Sequence, residues 1–200
     1  MTKIKICGLK RPEDIEAVNE VLPDYMGFVF WGRSRRCVSD ERAEELAEMV
    51  DKRIKKVGVF VDDDPEHILR LCKSGVIDVI QLHGSEDADY IRLIRKSTSC
   101  PVIKAFNIDR ISGFGEMENS PADHVMVDPG KGDGITFDWQ RLKQLKRPFF
   151  LAGGLNALNV ADAIEALHPY AVDVSSGVET GGVKDRGKMI EFALSCRRGT

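Results

Sequence analysis

Short β-branched runs alternate along this chain with segments whose apolar residues recur at helical spacing. Residues 3–9 interleave charged and aliphatic side chains up to Gly8. In a strand that pattern sets Lys3, Lys5 and Cys7 on one face and Ile4 and Ile6 on the other. Pro12, Glu13 and Asp14 suit a helix N-terminus, and Ile15, Val18 and Leu22 fall on one face after it. Residues 25–30 are apolar almost throughout, as in a strand covered on both sides. Ser39 opens a helix with Ala43, Leu46, Ala47 and Val50 as its stripe; 57–61 is the next strand, and Asp64-Pro65 starts a helix turning Ile68, Leu71 and Cys72 inward.

The alternation continues to the end. Residues 76–82 form a strand ending at His83-Gly84, and Ser85 is expected to cap a helix carrying Ile91 and Ile94. Residues 101–106 and 123–127 are strands, with 111–119 the least helix-like connection and 139–145 a short helix. Residues 149–152 lead into Gly153-Gly154, and Asn156 is expected to cap a helix through Val160, Ala163, Ile164 and Leu167. Residues 171–174 make the last strand, and Asp185 caps a final helix with Met189, Phe192, Ala193 and Cys196 on one face. Eight such units without a linker predict an α/β protein, a single (β/α)₈ TIM barrel over residues 1–200. A doubly wound sheet would want a glycine fingerprint after its first strand, where only Gly8 stands.

Composition narrows the function classes. With 42% hydrophobic and 30% charged residues the chain reads as a soluble globular protein, and a net charge of -3 gives no reason to expect nucleic acid or an anionic membrane as partner. No apolar run is long enough to span a bilayer, and no signal-peptide segment opens the chain. The 5 cysteines show neither metal-site nor disulfide spacing, so a reducing cytoplasm is the expected location.

In a (β/α)₈ barrel the chemistry lies at the carboxyl ends of the strands, with a phosphate site after strands seven and eight. The rule singles out Cys7, Arg36, His83, Asp128, Gly153, Gly154, Asp173, Ser175, Ser176 and Gly177. The paired glycines free backbone N–H groups to approach an anion, and Ser176-Gly177 can begin a short helix whose N-terminus favours phosphate. Each residue has a plainer reading: Cys7 as a small buried hydrophobe, Asp128 as a loop carboxylate, His83 as a structural hydrogen-bonder, the 33–36 arginines as surface charge. Gly130-Lys-Gly132 lacks the ending and helix of a nucleotide loop.

Lys5-Ile-Cys-Gly8, the 34–39 segment, Gln81-Leu-His-Gly84, Leu151-Ala-Gly-Gly-Leu155 and Val172-Asp-Val-Ser-Ser-Gly-Val-Glu179 together resemble the phosphoribosylanthranilate isomerases of tryptophan biosynthesis, in order from end to end. The resemblance implies a cofactor-free, metal-free Amadori rearrangement of N-(5-phosphoribosyl)anthranilate to 1-(o-carboxyphenylamino)-1-deoxyribulose 5-phosphate. It implies Cys7 as general base, Asp128 as general acid, Arg36 on the anthranilate carboxylate, Asp173 on sugar hydroxyls, His83 at the substrate, and phosphate at 153–154 and 175–177. Its partner would be a phosphorylated small molecule, the assembly a monomer or homodimer. Such a site needs a protonated Asp128 and a Cys7 thiolate, which burial and nearby positive charge respectively would favour. Two positions depart from the family: Ser34-Arg35-Arg36 replaces the usual Ser-Pro-Arg, leaving Arg35 as an alternative to Arg36, and Lys131-Gly-Asp-Gly134 replaces Gly-Gly-Thr-Gly. The histidine-pathway isomerase is the nearest enzymatic rival, but it uses a carboxylate where Cys7 stands and repeats its phosphate motif. A non-catalytic sugar-phosphate-binding barrel would have no reason to set Cys7 and Asp128 across its mouth.

Overall fold

Strands that are buried on both faces and joined by amphipathic helices close here into a ring. A computed structural model describes residues 1–109, 113–128 and 139–199. Its elements run β1 (Lys3–Cys7), α1 (Pro12–Val21), β2 (Tyr25–Val29), α2 (Asp40–Met49), β3 (Lys55–Phe60), α3 (Pro65–Lys73), β4 (Val79–Leu82) and α4 (Ala88–Ser97). There follow β5 (Val102–Asn107), α5 (Gly115–Glu118), β6 (His124–Asp128), a 3₁₀ turn (Trp139–Gln144), β7 (Phe149–Leu151), α6 (Val160–Leu167) and β8 (Ala171–Val174). After a 3₁₀ turn (Ser176–Val178), the hairpin β9 (Glu179–Thr180) and β10 (Val183–Lys184) leads to α7 (Arg186–Arg198). β1 to β8 form a closed parallel barrel in sequence order, sealed by the pairing of β1 with β8.

Side-chain alternation divides the core in two. Ile4, Ile6, Met26 and Phe28 point outward and pack beneath the helices. Tyr25, Val57, Val79, Ile103, Met126 and Phe150 fill the interior, so the barrel is a packed core rather than a pore. Above them Cys7, Val29 and Val59 form a small apolar floor at the mouth.

Several expected boundaries moved. α4 is capped by Asp87, whose carboxylate accepts from Tyr90 N–H, not by Ser85, which is held instead by Asp62. Asn159 occupies the N-cap of α6; Asn156 lies in the preceding turn, accepting from Leu158 N–H. Leu22 ends α1 in a left-handed conformation rather than extending its stripe. Val76 and Ile77 close the turn after α3, and the strand starts at Val79. Among the described residues of connection 111–119 there is the short α5, and 139–145 contains a 3₁₀ rather than an α-helix. The stretch 129–134, with Lys131, lies outside the described residues. Among those described, no helix is long and apolar enough to cross a membrane.

Candidate active site

The strands' carboxyl ends surround a cavity of about 490 Å³ lined by Cys7, Arg36, Gln81, His83, Asp128, Gly153, Gly154, Asp173, Ser175 and Ser176, with Val29, Trp31, Val59 and Val61 along one wall. Nine of the ten residues singled out from sequence thus meet at one mouth. Gly177 does not line it; a side chain there would collide with the Leu155 carbonyl, so its role is close backbone packing under the β7 loop. Arg36 lines the cavity, whereas Arg35 reaches outward to solvent.

Cys7 ends β1, and its register with β2 sets it beside Gly27. A Cβ on Gly27 would lie 2.7 Å from the Cys7 Sγ, so this glycine makes room for the thiol. One layer below, Lys5 is fully buried and donates to Asp173 Oδ1 at 2.8 Å, both residues being register partners across the β1–β8 seam. Burial pulls the Lys5 ammonium down, but Asp173 and Cys7 outweigh it and its pKa is raised. The expected lowering of the thiol is not found. Burial pushes the Cys7 pKa up, and the opposing positive charges of Lys5 and Lys184 reduce the rise without cancelling it.

Across the mouth Asp128 ends β6, and its Oδ2 lies 3.2 Å from His83 Nε2. His83 Nδ1 in turn lies 2.9 Å from Gln81 Nε2. A donating amide leaves the proton of a neutral imidazole on Nε2, facing the carboxylate. Gln81 Oε1 is buried without a partner among the described residues.

The β8 end carries a second polar layer. Ser175 Oγ donates to the Cys7 carbonyl at 3.0 Å, and the buried Lys184 Nζ donates to the Ser175 carbonyl and to Glu179 Oε1, both at 2.8 Å. Burial lowers the Lys184 pKa, against the pull of Glu179. Gly153 and Gly154 both adopt positive φ (86° and 64°), a conformation that bends the loop toward the cavity at no steric cost to glycine. Lys184 and Gly27 escaped the sequence reading, and Gln81 entered it only within the Gln81–Gly84 motif, with no role of its own. Lys184 shows no local pattern, and Gly27 sits in a strand whose partner the sequence does not name.

The family model for N-(5'phosphoribosyl)anthranilate (PRA) isomerase matches residues 4–194. An N-(5'-phosphoribosyl)anthranilate isomerase from Endomicrobium trichonymphae is 46% identical over 197 residues, covering 96% of each chain. A phosphoribosyl anthranilate isomerase crystallised with reduced 1-(o-carboxyphenylamino)-1-deoxyribulose 5-phosphate superposes with a TM-score of 0.84 at 35% identity, covering 98% of this chain and 99% of that one. Monomers generated from the dimeric enzyme of Thermotoga maritima give 0.83 at 33% identity, again over 98% and 99%.

Proposed function

The chain belongs to the family of N-(5'-phosphoribosyl)anthranilate isomerases of tryptophan biosynthesis, and on that premise we propose that it rearranges N-(5-phosphoribosyl)anthranilate to 1-(o-carboxyphenylamino)-1-deoxyribulose 5-phosphate with Asp128 as general acid and Cys7 as general base. The observation that carries the reading is the shared cavity, with a thiol and a carboxylate at its floor and rim, a cation on one side and the Gly153–Gly154 turn on another.

The phosphate fits the Gly153–Gly154 turn and the backbone at Ser175–Ser176, leaving the sugar between Cys7 and Asp128. Arg36 pairs the anthranilate carboxylate, and the apolar wall of Val29, Trp31, Val59 and Val61 takes the aromatic ring. Asp128, with His83 Nε2 3.2 Å from its Oδ2, must arrive protonated and give that proton to the furanose oxygen, which opens the ring to an iminium. That cation acidifies the sugar C2–H, which Cys7 removes as the thiolate, and its positive charge beside the thiol opposes the rise in pKa that burial causes. Asp173 accepts from sugar hydroxyls with the oxygens that Lys5 leaves open. The electron sink is built in the substrate itself.

Incubating the protein with phosphoribosylanthranilate and following loss of its fluorescence tests the proposal; no loss beyond the spontaneous rate would refute it. By analogy with the dimeric T. maritima enzyme, a cytoplasmic monomer or homodimer is expected, which sedimentation distinguishes.

A further inference from the structure

The Arg36 guanidinium is not loose in the cavity. Its Nε donates to Glu179 Oε1 at 2.6 Å and its Nη2 to Glu179 Oε2 at 3.0 Å, so one whole edge of the fork is taken by a single buried carboxylate. Its Cδ also rests against Gly8, where any side chain would collide with it. Glu179 is itself held from two other directions, by Lys184 Nζ at 2.8 Å on Oε1 and by Arg35 Nη2 at 2.8 Å on Oε2. It opens the short β9–β10 hairpin, which pairs Glu179 with Lys184 across two residues of register.

We propose that Glu179 is a positioning residue that aims the free Nη1/Nη2 end of Arg36 at the substrate's aryl carboxylate, and thereby makes the enzyme select an acidic over a neutral arylamine. This rests on the isomerase reading above. A guanidinium can grip two carboxylates at once, one on its Nε/Nη2 edge and one end-on. Fixing the first edge pre-orients the second, so ordering the long side chain is not charged against substrate binding. The three cations around Glu179 keep the cluster net positive despite the carboxylate, and against burial Arg36 and Lys184 hold the Glu179 pKa down at about 2. Glu179 is therefore an anion at any working pH.

Glu179→Gln removes a negative charge beside Arg36, which by simple Coulomb attraction should tighten binding of an anionic substrate. Loss of the aim should instead weaken it. The measurement is kcat/KM for phosphoribosylanthranilate and for phosphoribosylaniline, which lacks the carboxylate. In Glu179→Gln the preference for the acid is expected to fall by about tenfold or more, through a raised KM for the acid with kcat within a few-fold. Arg36→Met should abolish the same preference, and adding Glu179→Gln to it should change nothing further. An unchanged preference, an equal loss on both amines, or an effect of Glu179→Gln that persists in the Arg36→Met background would each overturn the proposal. If circular dichroism shows Glu179→Gln unfolded, Glu179→Asp keeps the charge for Lys184 but shortens the reach to Arg36; the same fall in preference is expected, and an intact one refutes it. Wild-type protein inactive on both amines would instead remove the isomerase reading, and this proposal with it.

Discussion

Lys5 and Asp173 meet as register partners at the seam where the barrel closes, with the ammonium fully buried and 2.8 Å from the carboxylate. The pair joins the first strand to the last within a seam of four register pairs and lies directly beneath Cys7, so one contact serves both the seam and the floor of the mouth. Asp173→Ala would strand an ammonium in the interior and should cost about 3–5 kcal/mol, read from urea unfolding. Lys5→Met should cost less, because Asp173 keeps contact with the cavity. Equal costs would show that the seam does not depend on a buried charge.

Cys7→Ser keeps the shape of the base but supplies an alcohol far too weakly acidic to be deprotonated near neutrality. Asp128→Asn keeps a polar group at the ring oxygen but has no proton to give. Each should reduce kcat by about 10²–10⁴-fold with KM less affected, and the double variant should lose little beyond the worse single one. Near-normal turnover in Cys7→Ser would end the base assignment.

The raised thiol pKa sets the pH dependence. A base must be deprotonated to act, and in the free enzyme burial holds the Cys7 proton on more tightly than usual despite Lys5 and Lys184. kcat/KM, which reports the free enzyme, should therefore still be climbing from about pH 8 through and beyond the ordinary thiol value near 8.5. Lys5→Met removes one of the opposing positive charges and should carry the limb to still higher pH. A profile that is level across that interval, or a shift to lower pH in Lys5→Met, would contradict this account.

Gly154 has a left-handed φ of 64° and lines the cavity. Gly154→Asp should add bulk and negative charge where a phosphate is expected, raising KM and the inhibition constant of inorganic phosphate by about tenfold or more while the far-ultraviolet dichroism stays unchanged. Unaltered phosphate inhibition would move the phosphate site elsewhere.

Much of the molecule is decided by local pattern. The β-branched runs, the helical stripes and their proline and aspartate starts give eight strand–helix units, and parallel strands in that number close into a barrel. Because side chains alternate along a strand, the same pattern already set Lys5 and Cys7 on one face. Strand-end rules then gathered Cys7, Arg36, His83, Asp128, Asp173 and the Gly153–Gly154 turn at one end. What the sequence could not decide is which partner each group meets, since that depends on register and loop path between segments far apart in the chain. Asp173 answers Lys5 because β8 pairs with β1 in the register that sets the two residues side by side. The thiol pKa rises rather than falls because the packing around Cys7 excludes water more completely than Lys5 and Lys184 can offset. Arg36 lines the cavity with one edge of its fork held by Glu179, 143 residues further on, while Arg35 meets the same carboxylate from the solvent side. Such choices are made by long-range contacts, and only the closed barrel brings those contacts together.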